Sequence, residues 1–423
     1  MTPTIRFLAY SLLALLIAMN TLSATADVTK PNQLTPEQIA EGWISLFDGE
    51  TLFGWTPTSD ANWKVEEGAI AVSEGEQGFL MTNSEFADYE LYFEYKAPKS
   101  TNSGVFLRTA LNPTDPAKDC YELNIAPNDN PFPTGSLVGR HKRNLEQYIN
   151  PKLTSDMVAQ SKDGWYRVRV RVAGDRITLA TVDYDGWDEF YQDSAPLVRG
   201  HIGLQFREGP VAFRNIRLKP LGLNPMLNGK DLAGWNDDQK KTSTFAVTPE
   251  GELRVTNGSG QLESDATYGD FTMQFETRVD GDGLNSGVFF RCIPREYMNG
   301  YECQISNKIT DGDPTKPTDF GTGAIYRRIP ARWVNARDHE WFTTTLVATG
   351  PHIAVWVNGL QVTDWTDKRP PNDNPRSGLR TAAGTISLQG HDPTTDIRFR
   401  NMRIGELPAN ANHDGTKDEA GKE

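Results

Sequence analysis

Short stretches in which apolar and polar residues alternate recur along the chain. In the run FTMQFETRV, every second residue from Phe271 to Phe275 is apolar, whereas Gln274 and Glu276 are polar. A period of two over this length is typical of an antiparallel strand with one buried face. The alternation therefore predicts a chain built mainly of half-buried strands.

Composition favours the same fold class. The 423 residues include 37 Gly and 26 Pro, which favour many turns and short strands over long helices. Asn358-Gly359 lies between two alternating runs and predicts a two-residue hairpin turn. We predict an all-β protein of the sandwich or jelly-roll type.

The second half of the chain repeats motifs of the first half in the same order. LFDGETLFGW at 46–55 corresponds to MLNGKDLAGW at 226–235, and NSGVFLR at 102–108 corresponds to NSGVFFR at 285–291. Units of about 180 residues are far longer than the roughly 20–50-residue periods of solenoids. The repeat therefore predicts a tandem domain duplication.

We place the first domain at 42–220 and the second at 223–407, joined by a link so short that the domains should touch. The preceding segment, 27–41, predicts one short helix that begins with a capping box at Thr35. The polar tail, 408–423, is predicted to be disordered.

The N-terminus has the pattern of an export signal. Arg6 precedes an apolar run from Leu8 to Met19, and the small-residue pattern Ala24-Thr25-Ala26 follows. The run is shorter than the roughly 20 apolar residues of a spanning helix, which argues against an uncleaved anchor. We predict a signal peptide at 1–26, and a periplasmic or secreted protein with no membrane contact after cleavage.

Charge narrows the classes of partner. Loss of Arg6 with the signal changes the formal net charge from −13 to −14. Because nucleic acids and anionic membranes are bound through Lys and Arg, this balance argues against both. It suits a neutral or cationic ligand.

Three cysteines allow at most one disulfide. The alternation places Cys292 and Cys303 on the core side of strands joined by a short connection. A disulfide and a pair of buried thiols both fit that placement. Cys120 has no counterpart in the repeat and is left over.

Polar side chains concentrate opposite the core side of four predicted strands of the second domain. They are Glu276, Arg291, Glu302, Gln304, Gln389 and His391. If the four strands share a sheet, these residues form one polar site. The alternative is a solvated surface with weak ion pairs. The first domain repeats part of the set with Glu94, Arg108, Glu122, Asn124 and Gln205, but has Arg207 at the position of His391.

Common cofactor motifs do not occur. The chain has no zinc-spaced Cys/His cluster, Gly-rich phosphate loop or nucleophile elbow. No cofactor is predicted with certainty, and a divalent metal at Glu302 and His391 stays open.

Taken together, LFDG..L.GW, F.DYEL.FE, NSGVF.R, GYE.QI, TGAIY and LQGH....FRN resemble the bacterial 3-keto-disaccharide hydrolase domain. This family is also described as 3-keto-α-glucoside 1,2-lyase / 3-keto-2-hydroxyglucal hydratase. The resemblance occurs twice and covers nearly all of the chain after the signal. It implies two tandem concanavalin-A-like jelly-roll β-sandwiches, each with its site on a concave sheet.

The resemblance also implies a reaction and a glycoside or oligosaccharide substrate. A ketone at C3 acidifies the C2 hydrogen, so a base removes it, the aglycone leaves C1, and water then adds. Glu302 and His391 would be base and acid in either order, with Glu276 as an alternative carboxylate. Arg291 would stabilise the oxyanion. The substrate-binding candidates are Gln304, Gln389 and Tyr326.

The second domain keeps TGAIY and LQGH, whereas the first has TGSLVG and LQFRE. We therefore expect a catalytic second domain and a first domain that binds carbohydrate or has diverged. Two other function classes stay open. One is a lectin-like protein without catalysis. The other is a conventional hydrolase, which needs two carboxylates, here Glu276 and Glu302, about 5–5.5 or 6.5–9.5 Å apart.

Overall fold

The computed structural model describes residues 32–127, 129–143, 164–181 and 189–409. The predicted signal peptide and most of the predicted polar tail lie outside the described residues. Within these ranges the regular secondary structure is one short helix and 28 strands, and no helix is long and apolar enough to cross a membrane.

One short helix, α1 (Pro36–Ala40), precedes the strands. The Thr35 hydroxyl accepts the Gln38 backbone N–H at 3.2 Å, and the Gln38 side chain accepts the Thr35 N–H at 3.0 Å. The helix therefore begins with the predicted capping box, and Pro36 occupies its first position, where no N–H partner is needed.

The first domain is a sandwich of two antiparallel sheets. Its strands are β1 (Ile44–Ser45), β2 (Trp55–Pro57), β3 (Lys64–Glu66), β4 (Ala69–Val72), β5 (Gly78–Thr82), β6 (Tyr89–Lys96), β7 (Ser103–Thr109), β8 (Tyr121–Ile125), β9 (Tyr166–Ala173), β10 (Arg176–Thr181), β11 (Glu189–Gln192), β12 (His201–Phe206) and β13 (Val211–Pro220). The five-stranded sheet has the order β2-β5-β12-β7-β8. The eight-stranded sheet has the order β11-β10-β9-β6-β13-β4-β3, with β1 beside β13.

The second domain repeats this architecture. Its strands are β14 (Asn224–Pro225), β15 (Trp235–Asn236), β16 (Thr244–Val247), β17 (Leu253–Thr256), β18 (Gly260–Tyr268), β19 (Phe271–Val279), β20 (Asn285–Cys292), β21 (Tyr301–Ser306), β22 (Ile309–Thr310), β23 (Asp313–Pro317), β24 (Trp341–Thr349), β25 (His352–Val357), β26 (Leu360–Thr366), β27 (Gly384–Gly390) and β28 (Asp396–Glu406). The five-stranded sheet has the order β15-β18-β27-β20-β21, and the eight-stranded sheet the order β16-β17-β28-β19-β24-β25-β26, with β14 beside β28. β22 and β23 form a separate hairpin.

Alternation along the strands builds the core. In the second five-stranded sheet, Leu262, Leu388, Val288 and Cys303 lie opposite one another on successive strands and are all buried in the core cluster. Their sequence neighbours therefore point to the other side of the sheet. This all-β jelly-roll arrangement confirms the predicted fold class.

The two domains share buried contacts. The core cluster of the first domain includes Val347, Ala354 and Trp356, which lie on β24 and β25 of the second. The Trp356 indole is 1% exposed and donates to the Ser45 carbonyl at 2.9 Å. Since this indole is buried by the other domain, the domains are packed against each other, as the short link predicted.

A bulge in β20 places Cys292 and Cys303 on opposite sides of the sheet. Val288 lies opposite Cys303, but pairing with β27 shifts between Phe289 and Cys292, and Arg291 between them has a φ of 48°. The extra residue reverses the side on which Cys292 points. Cys292 therefore packs with Phe289 and Met298, whereas Cys303 lies in the core, and both thiols are free. Of the two alternatives left open, the structure has buried thiols rather than a disulfide, and the expectation that both cysteines lie on the core side was wrong for Cys292.

Candidate active site

The outer face of the second five-stranded sheet carries a polar group that we call the second-domain face. It consists of Gln261, Glu263, Phe289, Glu302, Gln304, Ser387 and Gln389. Strand register places Gln261 opposite Gln389 and Glu263 opposite Ser387. It also places Ser387 opposite Phe289, and Phe289 opposite Glu302. Three of the predicted site residues, Glu302, Gln304 and Gln389, are thus on one face.

Glu302 is buried, and a glycine on the adjacent strand leaves room for its carboxyl. Gly287 lies opposite Gln304 on the adjacent strand, and a Cβ at Gly287 would lie 2.8 Å from Glu302 Oε1. Burial raises the Glu302 pKa to about 7; the Arg376 and Arg327 guanidinium groups oppose this rise, and Asp319 adds to it. A carboxyl with such a pKa exchanges a proton readily at neutral pH.

Glu302 borders a cleft of about 240 Å³. The cleft is lined by Gly300, Tyr301, Glu302, Ile325, Tyr326, Arg327, Arg328, Pro375 and Arg376. The Tyr326 backbone N–H donates to the Glu302 carbonyl at 2.9 Å, which holds the two residues side by side along the backbone. Glu302 and the predicted substrate-binding residue Tyr326 therefore meet in one cleft.

Two amides on the second-domain face are oriented by hydrogen bonds. Gln304 Nε2 donates to the Asp319 carbonyl at 3.0 Å and to its carboxylate at 3.1 Å. Gln389 Nε2 contacts Met298 Sδ at 3.3 Å. The Oε1 atoms of Gln304 and Gln389 are buried and have no partner within the described residues. Buried acceptors of this kind are ready to receive ligand hydroxyls.

Gln261 and Glu263, which sequence reasoning missed, hold a loop over one half of this face. The Gln261 Oε1 accepts the Met298 N–H at 2.6 Å. Glu263 Oε1 accepts the Arg295 N–H at 3.0 Å and the Thr385 hydroxyl at 2.6 Å. The alternation in GQLES could have placed both residues opposite the core. This loop lies on the β18 side of the sheet, whereas Glu302 and Gln304 lie on β21 at the opposite edge.

Arg376 was also missed, because it comes from an insertion. The Tyr301 hydroxyl donates to Asp367 and accepts the Arg380 N–H. The Tyr121 hydroxyl makes the same two bonds in the first domain, to Asp193 and from Leu197. Twelve residues separate 367 from 380, but three separate 193 from 197, so the second domain has nine more. This extra segment brings Pro375 and Arg376 to the cleft.

Arg291 is not part of this site, contrary to prediction. Its guanidinium is fully buried and donates to the carbonyls of Gly269, Gly350 and Arg380 and to the Asp270 carboxylate, at 2.6–3.2 Å. Because the bulge gives Arg291 a left-handed backbone, the side chain leaves the face and ties several loops together.

Arg108 does the same in the first domain. It donates to the carbonyls of Ala87, Gly174 and Leu197 and pairs with Asp88. The arginine recurs in both copies because the fold needs it.

Glu276 and Glu94 do not lie on the five-stranded sheets either, so they are not part of the candidate site. Both lie on eight-stranded sheets, where Glu276 accepts from Arg400 at 2.8 Å and Glu94 accepts from Arg214 at 2.8 Å. Glu276 points away from the core on the eight-stranded sheet, and Glu302 points away from the core on the five-stranded sheet. Since packed sheets lie roughly 10 Å apart, the two carboxyls are too far apart for the predicted two-carboxylate pair.

His391 follows β27 at the open end of the second-domain face. Its ring is 40% exposed, bonds the Asp392 carboxylate at 2.8 Å, and is not among the residues lining the cleft. Within the described ranges, no group of three or more His, Cys, Asp or Glu side chains could hold a metal ion. A divalent metal stays a prediction.

Comparisons with known proteins identify the family of this chain. The 3-keto-alpha-glucoside-1,2-lyase-like domain family matches residues 42–219 and again 222–405. A 3-keto-disaccharide hydrolase of Bacteroides thetaiotaomicron is 25% identical over 232 residues, which cover 43% of this chain and 79% of that protein.

Among solved structures, a putative glycosyl hydrolase from Parabacteroides distasonis is 25% identical, with a TM-score of 0.35, and the match covers 44% of this chain and 100% of that one. Because the family match accounts for most of the sequence in two consecutive segments, this chain belongs to the 3-keto-alpha-glucoside-1,2-lyase-like domain family and carries two copies of its domain.

Proposed function

We propose that the second domain cleaves 3-keto-glycosides, including 3-keto-disaccharides, by proton abstraction at C2, loss of the aglycone and addition of water. The observation that carries the proposal is Glu302, a buried carboxyl that borders the cleft and has a pKa of about 7. The name of the related Bacteroides protein supports the choice of substrate class.

Glu302 is the base in this scheme. Its carboxylate removes the C2 proton, and negative charge develops on the C3 ketone oxygen. Arg327 and Arg376 lie near enough to Glu302 to change its pKa, so they are placed to stabilise that charge. They take the role that the sequence had assigned to Arg291.

The aglycone leaves as the C1–O bond breaks and a C1=C2 double bond forms. The leaving oxygen needs a proton, and the Tyr326 hydroxyl on the cleft wall is our candidate donor. Water then adds across the double bond: hydroxide joins C1, its proton restores the tyrosine, and Glu302 returns a proton to C2. The net change is hydrolysis of the glycoside.

Gln304 and Gln389 hold the sugar in this proposal. Their unpartnered Oε1 atoms accept hydroxyl protons, while the opposite ends of both amides are held by protein atoms. Such pre-oriented acceptors fix the ring without a cost for reorienting the amide.

Product analysis with a panel of 3-keto-glycosides, with and without a chelator, tests the proposal. We expect a free aglycone and a 3-keto-sugar, and Glu302→Gln should lower kcat by about 10²–10⁴-fold. Glu276→Gln is the matched control and should keep activity, because Glu276 lies on the other sheet. Binding of the panel without turnover would instead indicate a lectin.

We also propose that the protein acts after export, in the periplasm or outside the cell, on the strength of its N-terminal sequence. N-terminal sequencing of the protein from the native cell should find a mature chain that begins at Asp27.

A further inference from the structure

We propose that the first domain holds a second, non-catalytic binding site for a neutral glycoside, on the outer face of its five-stranded sheet. We call this surface the first-domain face; it consists of Phe79, Met81, Phe106, Glu122, Asn124 and Gln205. The inference goes beyond the proposed function, from which it takes only the class of ligand.

The polar half of the catalytic arrangement is retained here. Glu122 lies opposite Phe106 as Glu302 lies opposite Phe289, and Gly104 leaves room beside Glu122 as Gly287 does beside Glu302. Burial raises the Glu122 pKa to about 7, against the effects of Arg207 and of a hydrogen bond from Gln205.

Gln205 supplies the observation that points to a ligand. Its side chain is 8% exposed, its amide bonds Glu122, and its Oε1 is buried with no partner among the described residues. Gln389 has the same open acceptor at the corresponding position of the second domain. Since buried acceptors are nearly always satisfied, each one indicates a hydroxyl or water that the described residues do not supply.

The other half of the face is apolar, unlike its counterpart. Phe79 lies opposite Gln205 where the second domain has Gln261, and Met81 replaces Glu263. The half-buried Phe79 ring packs edge-on against Phe106, with centroids 4.8 Å apart. A sugar ring offers a C–H surface with hydroxyls at its rim, which fits an aromatic side chain beside a few convergent polar groups.

The groups proposed for proton donation and charge stabilisation are replaced. Val138 donates its N–H to the Glu122 carbonyl as Tyr326 does to that of Glu302, so Val138 occupies the tyrosine position and Gly139 that of Arg327. The shorter connection from Asp193 to Leu197 carries no equivalent of Arg376. Among the described residues, the first-domain face therefore keeps the buried carboxyl and the amide acceptor but has no counterpart of Tyr326, Arg327 or Arg376, and the cation that acts on Glu122 is instead Arg207.

Binding stoichiometry tests the proposal. The full chain carrying Glu302→Gln, in which turnover should be at least about a hundredfold slower, is titrated calorimetrically with a panel of neutral disaccharides in native and 3-keto form. We expect two sites per chain for at least one member. Phe79→Ala should weaken one site at least about tenfold, and Gln205→Met, which nearly preserves volume, should remove it. Gln389→Met should remove the other site.

Thermal unfolding of each variant reports whether it is folded. If Gln205→Met does not fold, Phe79→Ala still tests the site, because it changes only a half-buried ring. A single site for every panel member, or a second site unaffected by both first-domain substitutions, would overturn the proposal. The proposed function is judged separately, by turnover in the wild-type chain.

Discussion

Glu302 and Glu276 are the same residue type in the same domain, yet their surroundings give them different properties. Glu276 faces Arg400 and Asn401 on a half-exposed surface. Glu302 is buried beside a glycine, and its pKa is raised to about 7. Burial and partners, rather than residue type, decide which carboxyl is available as a base near neutral pH.

The raised pKa of Glu302 predicts a pH profile. The base must be ionised, so kcat/KM on a 3-keto-glycoside should fall as pH decreases through about 7. The measurement is a profile of kcat/KM from pH 5 to 9 under conditions where the protein stays folded. A profile with no inflection between pH 6 and 8 would contradict Glu302 as the base.

The same shift predicts a stability effect of Glu302→Gln. The folded pKa of about 7 is above the ordinary 4.5, so the contribution of Glu302 to stability is present below 4.5 and is lost as pH rises through 7. One pKa unit corresponds to about 1.4 kcal/mol. The variant should therefore gain stability relative to wild type with rising pH, up to about 3 kcal/mol at pH 8, measured by urea unfolding.

Arg291→Met should damage stability rather than catalysis. The substitution leaves the Asp270 carboxylate and the carbonyls of Gly269 and Gly350 without their donor. Removing one partner of a buried ion pair costs about 3–5 kcal/mol. Urea unfolding measures the loss, and the protein that remains folded should keep its kcat. A large drop in kcat at unchanged stability would return Arg291 to the active site.

Side-chain alternation was enough to place Glu302, Gln304 and Gln389 on one face, since the strands that carry them are regular there. It failed at Arg291 and Cys292. The bulge between them adds a residue and shifts the alternation. No residue in NSGVFFRC is typical of a bulge, so the bulge becomes visible only in the pairing of β20 with β27.

At the scale of elements, the connection between β26 and β27 distinguishes the two copies. Arg369 in this connection pairs with Asp367 and donates to the carbonyls of Pro375 and Gly378. In the first domain Arg140 makes the corresponding pair with Asp193. Arg369 thus shapes a longer segment, and that segment forms one wall of the cleft.

Exchanging this connection tests its role. Residues 368–379 would be replaced by Ser194-Ala195-Pro196, which span the same two anchors in the first domain. We expect a folded protein, because Arg328 can pair with Asp367 as Arg140 pairs with Asp193. We also expect kcat/KM to fall by roughly a hundredfold, since one stabilising cation is lost. Retained activity would show that Arg376 is dispensable.

The sequence could not reveal which sheet each strand joins. Alternation placed Glu276 opposite the core correctly, but a sandwich has two outer faces and β19 belongs to the eight-stranded sheet. The contribution of the nine additional residues before Arg380 to the cleft could not be predicted either, because they contain no motif that repeats in the first domain. The distinction needs strand pairing, which depends on contacts between residues far apart in the chain.

At the scale of the whole molecule, the domains behave as one packed body in the region around Trp356. The indole lies in the core cluster of the first domain, and the Ser45 N–H bonds the Gly359 carbonyl at 2.8 Å. Arg199 also joins Glu85 of the first domain to Asp270 of the second. An isolated second domain would expose Trp356, Val347 and Ala354 to water.

Trp356→Ala should therefore weaken both domains. Loss of a buried tryptophan costs about 3–5 kcal/mol, and the Ser45 carbonyl loses its donor. We expect one cooperative transition in calorimetry of the wild-type chain and two separate transitions in the variant. Two independent transitions already present in the wild type would contradict a shared core.

The Trp356 contact also limits which of the two domains can be lost during evolution. Deletion of the first copy would leave an exposed apolar surface around Trp356 on the second copy, so the first copy is needed for stability whatever its own face binds. If only the second domain is catalytic, as we propose, the first can change its ligand preference while it continues to cover Trp356.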